Sequence, residues 1–353
     1  MLSLLLSSFL IFAELNCENL FDCRHDSLKQ DMEFLPESGR HWTPWKYWRK
    51  VNNIAQAVVA CGQGGADYGT ASRDGVGMTV GRADMAGSEH GSGGVAGGDA
   101  NYRMPDFVAL CEVENDSVMR DLTKRSLLRT ARYEYIMTDS PDGRGIDVAL
   151  MYSPFAFAPI RHYPLRVDPV EGMTPTRDIL YVFGRTVAED TLHIFVVHAP
   201  SRRNGERHSQ RFREAVARRL CASVDSVRAL MPDAKIIVAG DFNDYLGDPV
   251  LSLLLTHGLT DVSAGAHGLY GRAKGTYRYN GRWGSLDHIL MSSSLASCVQ
   301  SAFIYDAPFL LEEDKKYGGF KPFRSYTGYR FSADGTSDHL PLVVRFGSEE
   351  FIK

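Results

Sequence analysis

The stretch Lys235-Ile236-Ile237-Val238-Ala239-Gly240-Asp241-Phe242-Asn243-Asp244 decides the fold. Its apolar residues run on without alternation and then stop in Gly-Asp-Phe-Asn-Asp. A strand with one wet face alternates, whereas an unbroken apolar strand belongs in a sheet covered on both sides. The polar residues then fall just past a strand end, where sheet enzymes hold reactive groups on loops.

The same grammar recurs along the chain. Short apolar runs predict strands at 107–111, 134–137, 146–152, 179–182, 192–198, 235–239, 286–291 and 340–346. Helical spacing appears over 45–61, 117–129, 207–227 and 248–255. Some strands follow one another without a helix, as between 179 and 198, so the pattern predicts an α/β protein with mixed sheets inside helical layers. There is no internal repeat.

Composition excludes several classes. The chain has 353 residues, 44% hydrophobic and 23% charged, which is ordinary for a globular protein and wrong for a disordered, fibrous or polytopic membrane chain. With 39 Lys+Arg against 43 Asp+Glu, the net charge of -4 is not that of a protein that coats nucleic acid, although an enzyme could still grip phosphates locally. Cys17, Cys23, Cys61, Cys111, Cys221 and Cys298 form no Cys-x-x-Cys pair, which argues against a zinc staple. The apolar residues 1–13 are too short to span a membrane and lack the basic residues that precede a signal core. They read as a signal segment or as a first strand, so export or a cytoplasmic location stays open. A single domain is expected over 14–347. The stretch 62–104 is rich in Gly, Ala, Ser and Asp with no period, and is read as a flexible surface insertion.

The residues able to do chemistry sit at strand ends: Asn16, Glu112, His198, Asp241 with Asn243, Asp287, and Asp338 with His339. Each alone has a plain structural reading. A carboxylate after an apolar run is a turn former or helix cap, and Gly240-Asp241 is ordinary turn chemistry. His198 alone is a hydrogen-bonded core histidine, and Asp287 alone is a buried charge partner. Together they make a set of carboxylates, amides and histidines. Hard oxygen donors without cysteine favour Mg²⁺, with Mn²⁺ or Ca²⁺ as substitutes. A histidine held by an aspartate serves proton transfer. The set therefore points to metal-assisted attack of water on phosphorus.

Five motifs resemble, in order, those of the endonuclease/exonuclease/phosphatase superfamily, whose fold is like that of pancreatic deoxyribonuclease. They are Leu15-Asn16-Cys17-Glu18-Asn19-Leu20-Phe21-Asp22, Glu112-Val113-Glu114-Asn115, Gly240-Asp241-Phe242-Asn243, Leu286-Asp287-His288-Ile289 and Ser337-Asp338-His339-Leu340-Pro341. Asp142-Gly143-Arg144-Gly145-Ile146-Asp147 and His198-Ala199-Pro200-Ser201-Arg202-Arg203 look like a bacterial endonuclease branch. The resemblance implies a four-layer α/β sandwich, with two mixed β-sheets packed face to face and helices outside. It implies that Asn16, Glu112 and Asp338 serve the metal. His198 and Asn243 would contact the scissile phosphate, and Asp241 would handle a proton. Asp287 would orient a histidine, and His339 would act as base or stabilise the transition state.

The run 201–220 is rich in arginine and starts beside His198. Arg202 and Arg203, ahead of the helix, are read as phosphate contacts, while Arg218 and Arg219 are read as a solvated face. Tyr277, Tyr279 and Trp283 could stack on bases or simply pack. The expectation is a monomeric, divalent-metal-dependent phosphodiester hydrolase acting on DNA or RNA, with no stable membrane insertion and no protein partner. A phosphatase or phospholipase-type phosphodiesterase on the same scaffold is the alternative, and a catalytically inactive binding module is a further one.

Overall fold

Strands that are apolar on both faces need a layer on each side, and the chain supplies both. The structure, a computed structural model, describes residues 9–62, 103–202 and 206–347. The start of the N-terminal segment, most of the Gly-rich insertion and Arg203 lie outside the described residues.

In chain order the strands begin with β1 (Leu10–Leu20), β2 (Phe107–Val113), β3 (Glu134–Met137), β4 (Asp147–Tyr152), β5 (Phe157–Leu165) and β6 (Ile179–Thr186). They continue with β7 (Thr191–His198), β8 (Ile236–Asp241), β9 (Leu259–Asp261), β10 (Tyr277–Tyr279), β11 (Arg282–Gly284) and β12 (Asp287–Ser292). The last are β13 (Val299–Ile304), β14 (Leu311–Glu313), β15 (Phe320–Pro322), β16 (Tyr326–Thr327), β17 (Arg330–Phe331) and β18 (Leu342–Phe346). The helices are α1 (Pro44–Cys61), α2 (Asp116–Arg120), α3 (Glu206–Leu230), α4 (Pro249–Thr256) and α5 (Ser293–Ala296).

Two mixed six-stranded sheets result, ordered β13-β18-β1-β2-β4-β3 and β5-β6-β7-β8-β12-β9. Each has one parallel pair at its centre, β1 with β2 and β7 with β8, and antiparallel neighbours elsewhere. A parallel pair needs a crossover, and α1 and α3 lie on those two connections. The sheets meet face to face, β1 and β2 lying against β7, β8 and β12. Both faces of the second sheet are dry over β7, β8 and β12. Ile194, Val196, Ile237 and Ala239 join the core between the sheets. Phe195, Val197, Ile236 and Val238 point the other way, onto Val216, Leu220 and Val224 of α3 and Leu251 and Leu254 of α4. This double burial is why the runs do not alternate. On the first sheet, α1 buries Val51, Ile54, Ala55 and Val58 and touches β1.

Three expectations are refined. Residues 10–13 lie in β1, which pairs with β18 on one side (Leu10 opposite Phe346) and β2 on the other (Phe12 opposite Phe107). The single helix expected over 117–129 is broken into α2, a π turn at Asp121–Arg125 and a 3₁₀ turn at Leu127–Thr130. Ser126 causes the break: its Oγ donates to Leu122 O at 2.5 Å and accepts from Leu128 N at 3.0 Å, which restarts the turn. β5 was not expected, because Pro159 and Pro164 and a run of exposed residues hide it. It is an edge strand paired only with β6, where a missing N–H costs nothing on the open side. All six cysteines are free thiols. Among the described residues no helix is long and apolar enough to cross a membrane.

Phe107 is fully buried and packs against Phe12 and Phe157, with ring centroids 5.8 and 5.2 Å away. Phe107→Ala is expected to cost about 3–5 kcal/mol, read as a lower urea midpoint with an unchanged slope.

Candidate active site

His198, Asp241 and Asp287 occupy one cross-strand row. His198 at the end of β7 lies opposite Asp241 at the end of β8, and Asp241 lies opposite Asp287 at the start of β12. Directly opposed residues share a face of the sheet, so register alone brings the three side chains together. Gly240 makes the row possible. It is not a turn residue, as Gly-Asp implied, but part of β8, with φ +143°, and a Cβ there would lie 1.9 Å from Val197 O. Only glycine fits that approach.

The first sheet contributes from the other side. Asn16 Nδ2 donates to Asp241 Oδ2 at 3.0 Å, and Asn16 Oδ1 accepts from Glu18 N at 2.9 Å. Both ends of the amide are thus engaged, and Asn16 orients Asp241. Glu112 sits at an irregularity of β2 with φ +61°, a conformation that glycine prefers. Its Oε2 accepts from Asn19 N at 2.8 Å, and its Oε1 is 3.7 Å from His198 Nε2. Glu18, Asn19 and Asn243 also have positive φ, so unfavourable backbone concentrates here. Asn243 Nδ2 donates to Ala199 O at 3.1 Å and to Asp241 Oδ2 at 3.2 Å.

His339 closes the group. Its Nδ1 is 2.7 Å from Asp287 Oδ2, which also accepts from Thr276 Oγ1 at 2.5 Å. Tyr277 lies against the imidazole, with ring centroids 4.9 Å apart. Asp338 is partly exposed and is held by Arg324 Nη2 at 3.1 Å. Arg202 is engaged by Asp244 at 3.2 Å and Asp248 at 2.8 Å and lies over the Tyr245 ring, so its charge is answered within the protein. Arg213 of α3 is fully buried on Asp244 at 2.9 Å and belongs to no solvated face, whereas Arg218 is exposed. Tyr279 stands exposed on the β10–β11 hairpin, and Trp283 packs under Arg278.

Burial and like charge tune these groups in opposite directions. Burial, and then Asp287, push Asp241 up to about 7. Burial, with Arg177, Arg144 and His339 adding to it, holds His198 well below the usual histidine range, so it is neutral at pH 7. Burial also opposes charge on His339, but Asp287, Asp241 and Asp338 together outweigh it and raise it well above the usual range. Sequence reasoning missed Glu14, which lies fully buried beneath the row with neither oxygen hydrogen-bonded. Burial, then Asp287 and Asp241, keep its carboxyl protonated. Its signal was an acid inside an apolar strand. Thr276 gave no such signal.

Asp241, Asp287 and His339 each offer a ligand atom within 4.8 Å of the others. This set differs from the metal residues expected from the motifs, Asn16, Glu112 and Asp338. Both sets are dominated by oxygen donors without thiolate, and the crowding that raises Asp241 is what a cation would relieve. The residues present therefore fit a hard divalent ion.

A family model described as endonuclease/exonuclease/phosphatase matches residues 11–70 and 96–347. Solved structures share the fold. A family protein from Bacteroides thetaiotaomicron is 14% identical, with 96% of this chain and 97% of that chain covered and a TM-score of 0.55. A mannosyl-6-phosphatase from the same organism is 16% identical, with 95% and 98% covered and a TM-score of 0.53. A functionally unknown conserved protein from Enterococcus faecalis is 14% identical, with 96% and 100% covered and a TM-score of 0.55. No curated protein matches the chain.

The His339–Asp287 pair gives a titration to follow. Nitrogen NMR in EDTA should find the His339 imidazole still protonated at pH 7.5, and Asp287→Asn should lower its pKa. Because the folded value lies above the unfolded one, the pair's contribution to stability is complete below about pH 6.5 and is lost as pH rises through the folded value. An imidazole already neutral at pH 7.5 would refute this electrostatic assignment.

Proposed function

The chain belongs to the endonuclease/exonuclease/phosphatase family, whose chemistry is phosphoester hydrolysis, and within it we propose a divalent-metal-dependent phosphodiester hydrolase acting on DNA or RNA. The row His198, Asp241, Asp287 facing Glu112 carries the reading. It joins a carboxylate that titrates near neutrality to one neutral and one protonated histidine.

In this scheme Asp241 takes the proton of the attacking water as the new P–O bond forms and the opposite P–O bond breaks, and the departing alkoxide takes a proton from solvent. Asn16 and Asn243 hold Asp241 in place. Neutral His198 donates to a phosphoryl oxygen, and protonated His339 balances charge that builds on phosphorus. Asp287 and Thr276 keep His339 oriented. Glu112 and Asp338 would hold Mg²⁺, with Mn²⁺ or Ca²⁺ able to replace it, and a bound cation would withdraw charge from the phosphoryl oxygens. Tyr279 is exposed on the β10–β11 hairpin, whose Tyr277 lies against His339, and its ring is available for base stacking.

Hydrolysis of plasmid DNA, single-stranded DNA, RNA, inositol polyphosphate, sphingomyelin and a sugar 6-phosphate, each with Mg²⁺ or EDTA, tests the proposal. Metal-dependent cleavage of nucleic acid is expected. Turnover confined to a phosphomonoester or a lipid would move the protein to the phosphatase or phospholipase-type alternative. Glu112→Gln should abolish turnover while the thermal midpoint stays within a few degrees. Asp287→Asn should lower kcat on the order of 10²–10⁴-fold.

A further inference from the structure

A polar opening of about 220 Å³ adjoins Glu112 through Asn19. Arg40, Arg144 and Arg324 line it, together with Glu18, Asn19 and Tyr326. It shares walls with the site. Asn19 N holds Glu112 Oε2 at 2.8 Å, Arg144 Nη2 is 4.0 Å from that same oxygen, and Arg324 holds Asp338 at 3.1 Å.

Three guanidiniums and the Lys50 ammonium line one small opening, and the carboxylates beside them, Glu33, Glu18, Asp338 and Glu112, leave some of their N–H groups unspent. Glu33 pairs with Arg40 at 2.7 Å but is itself more than half exposed. Glu18 is buried, with Oε1 on Arg324 and Oε2 accepting from Ser325 N at 2.9 Å. Lys50 also lines the opening, its buried ammonium on Ser325 Oγ at 2.6 Å and Thr336 O at 3.2 Å and 3.9 Å from Glu18 Oε2.

The guanidiniums are also fixed in advance. Arg40 lies over the Phe34 and Tyr326 rings, 5.0 and 5.1 Å from their centroids. Arg144 Nη2 donates to Asn19 Oδ1 at 2.6 Å. Arg324 places Nε and Nη2 on Glu18 Oε1 at 2.7 and 2.6 Å. Arg144 and Arg324 nevertheless keep 40% and 39% of their side chains exposed. Each is anchored through Nη2, Arg324 also through Nε, and Nη1 of both is left to donate to a planar or tetrahedral oxyanion. Anchoring removes most of the ordering cost of binding.

We infer that this opening is a subsite for a second phosphate of the substrate, beside the phosphate that is cleaved. The inference rests on the phosphoester reading of the neighbouring site. Two sources present that chemistry: the next phosphate of a polynucleotide and a second ring phosphate of a phosphorylated polyol. The subsite sorts substrates by the charge next to the scissile bond, and a phosphodiester without such a neighbour forgoes it.

Calorimetry on the full chain in EDTA separates binding from turnover. The probes are thymidine 3′,5′-bisphosphate against thymidine 5′-monophosphate, and inositol 1,4-bisphosphate against inositol 1-phosphate. In one of these pairs the bisphosphate should bind at least about tenfold tighter, the worth of one charge-assisted contact. The pair that shows the preference identifies the source. Arg40→Gln and Arg144→Gln, each checked for an unchanged thermal midpoint, should erase the preference, and Arg40→Lys should keep part of it. Equal affinities within both pairs, or a preference that survives both glutamine variants, would overturn the subsite. Hydrolysis of a chromogenic phosphodiester in Mg²⁺ is read separately. Its failure would remove the phosphoester reading, and its success beside equal affinities would remove only the subsite.

Discussion

Everything at the candidate site depends on the register that sets His198, Asp241 and Asp287 on adjacent strands. A slip of one residue in β8 would turn Asp241 away and present a glycine in its place, because side chains alternate between faces. Two features hold the register. Both faces of the second sheet are packed, so a slip would expose or clash an entire apolar set. Gly240 lets the backbone of β7 come close enough that any side chain would collide. The chemistry therefore rests on the core rather than on loop conformation. Only the contributions of Asn16, Glu112 and His339 cross from elsewhere.

That rigidity allows an arrangement that would be costly in a looser protein. Glu14, Asp241 and Asp287 are all fully or nearly fully buried close together. Three negative charges cannot share so dry a space, and the protein resolves this by distributing protons. Glu14 keeps one, Asp241 sits near its midpoint at about 7, and His339 carries one opposite Asp287. The environment, rather than residue type, decides which group gives and which accepts.

The double-covered strands were legible because dryness on both faces leaves an unbroken apolar run, and β2, β3, β7 and β8 fall where those runs are. The site residues were legible as polar punctuation at the ends of the same runs. What stayed hidden was held by tertiary context. β5 carries two prolines that only an edge position tolerates. Thr276 and Ser126 act through single hydroxyl contacts that no spacing reveals. Arg202 reads as a phosphate ligand until Asp244 and Asp248, more than forty residues away, are seen to hold it. The arginines that do open onto the site, Arg144 and Arg324, are isolated in sequence, and only folding brings them together.

The place of β1 has a consequence for biosynthesis. It is flanked by β2 and by β18, so the first strand of the fold waits for a partner, Leu342–Phe346, that is translated roughly three hundred residues later. At roughly 5–20 residues per second, that wait is on the order of tens of seconds. Throughout it, Ile11 and Phe12 have no finished sheet to enter, and His339 has not yet left the ribosome. The second sheet, β5 to β9 with β12, can assemble earlier from contiguous chain. A ribosome that stalls before His339 and β18 are made would thus leave a half-built sandwich with a sticky leading strand and no complete site.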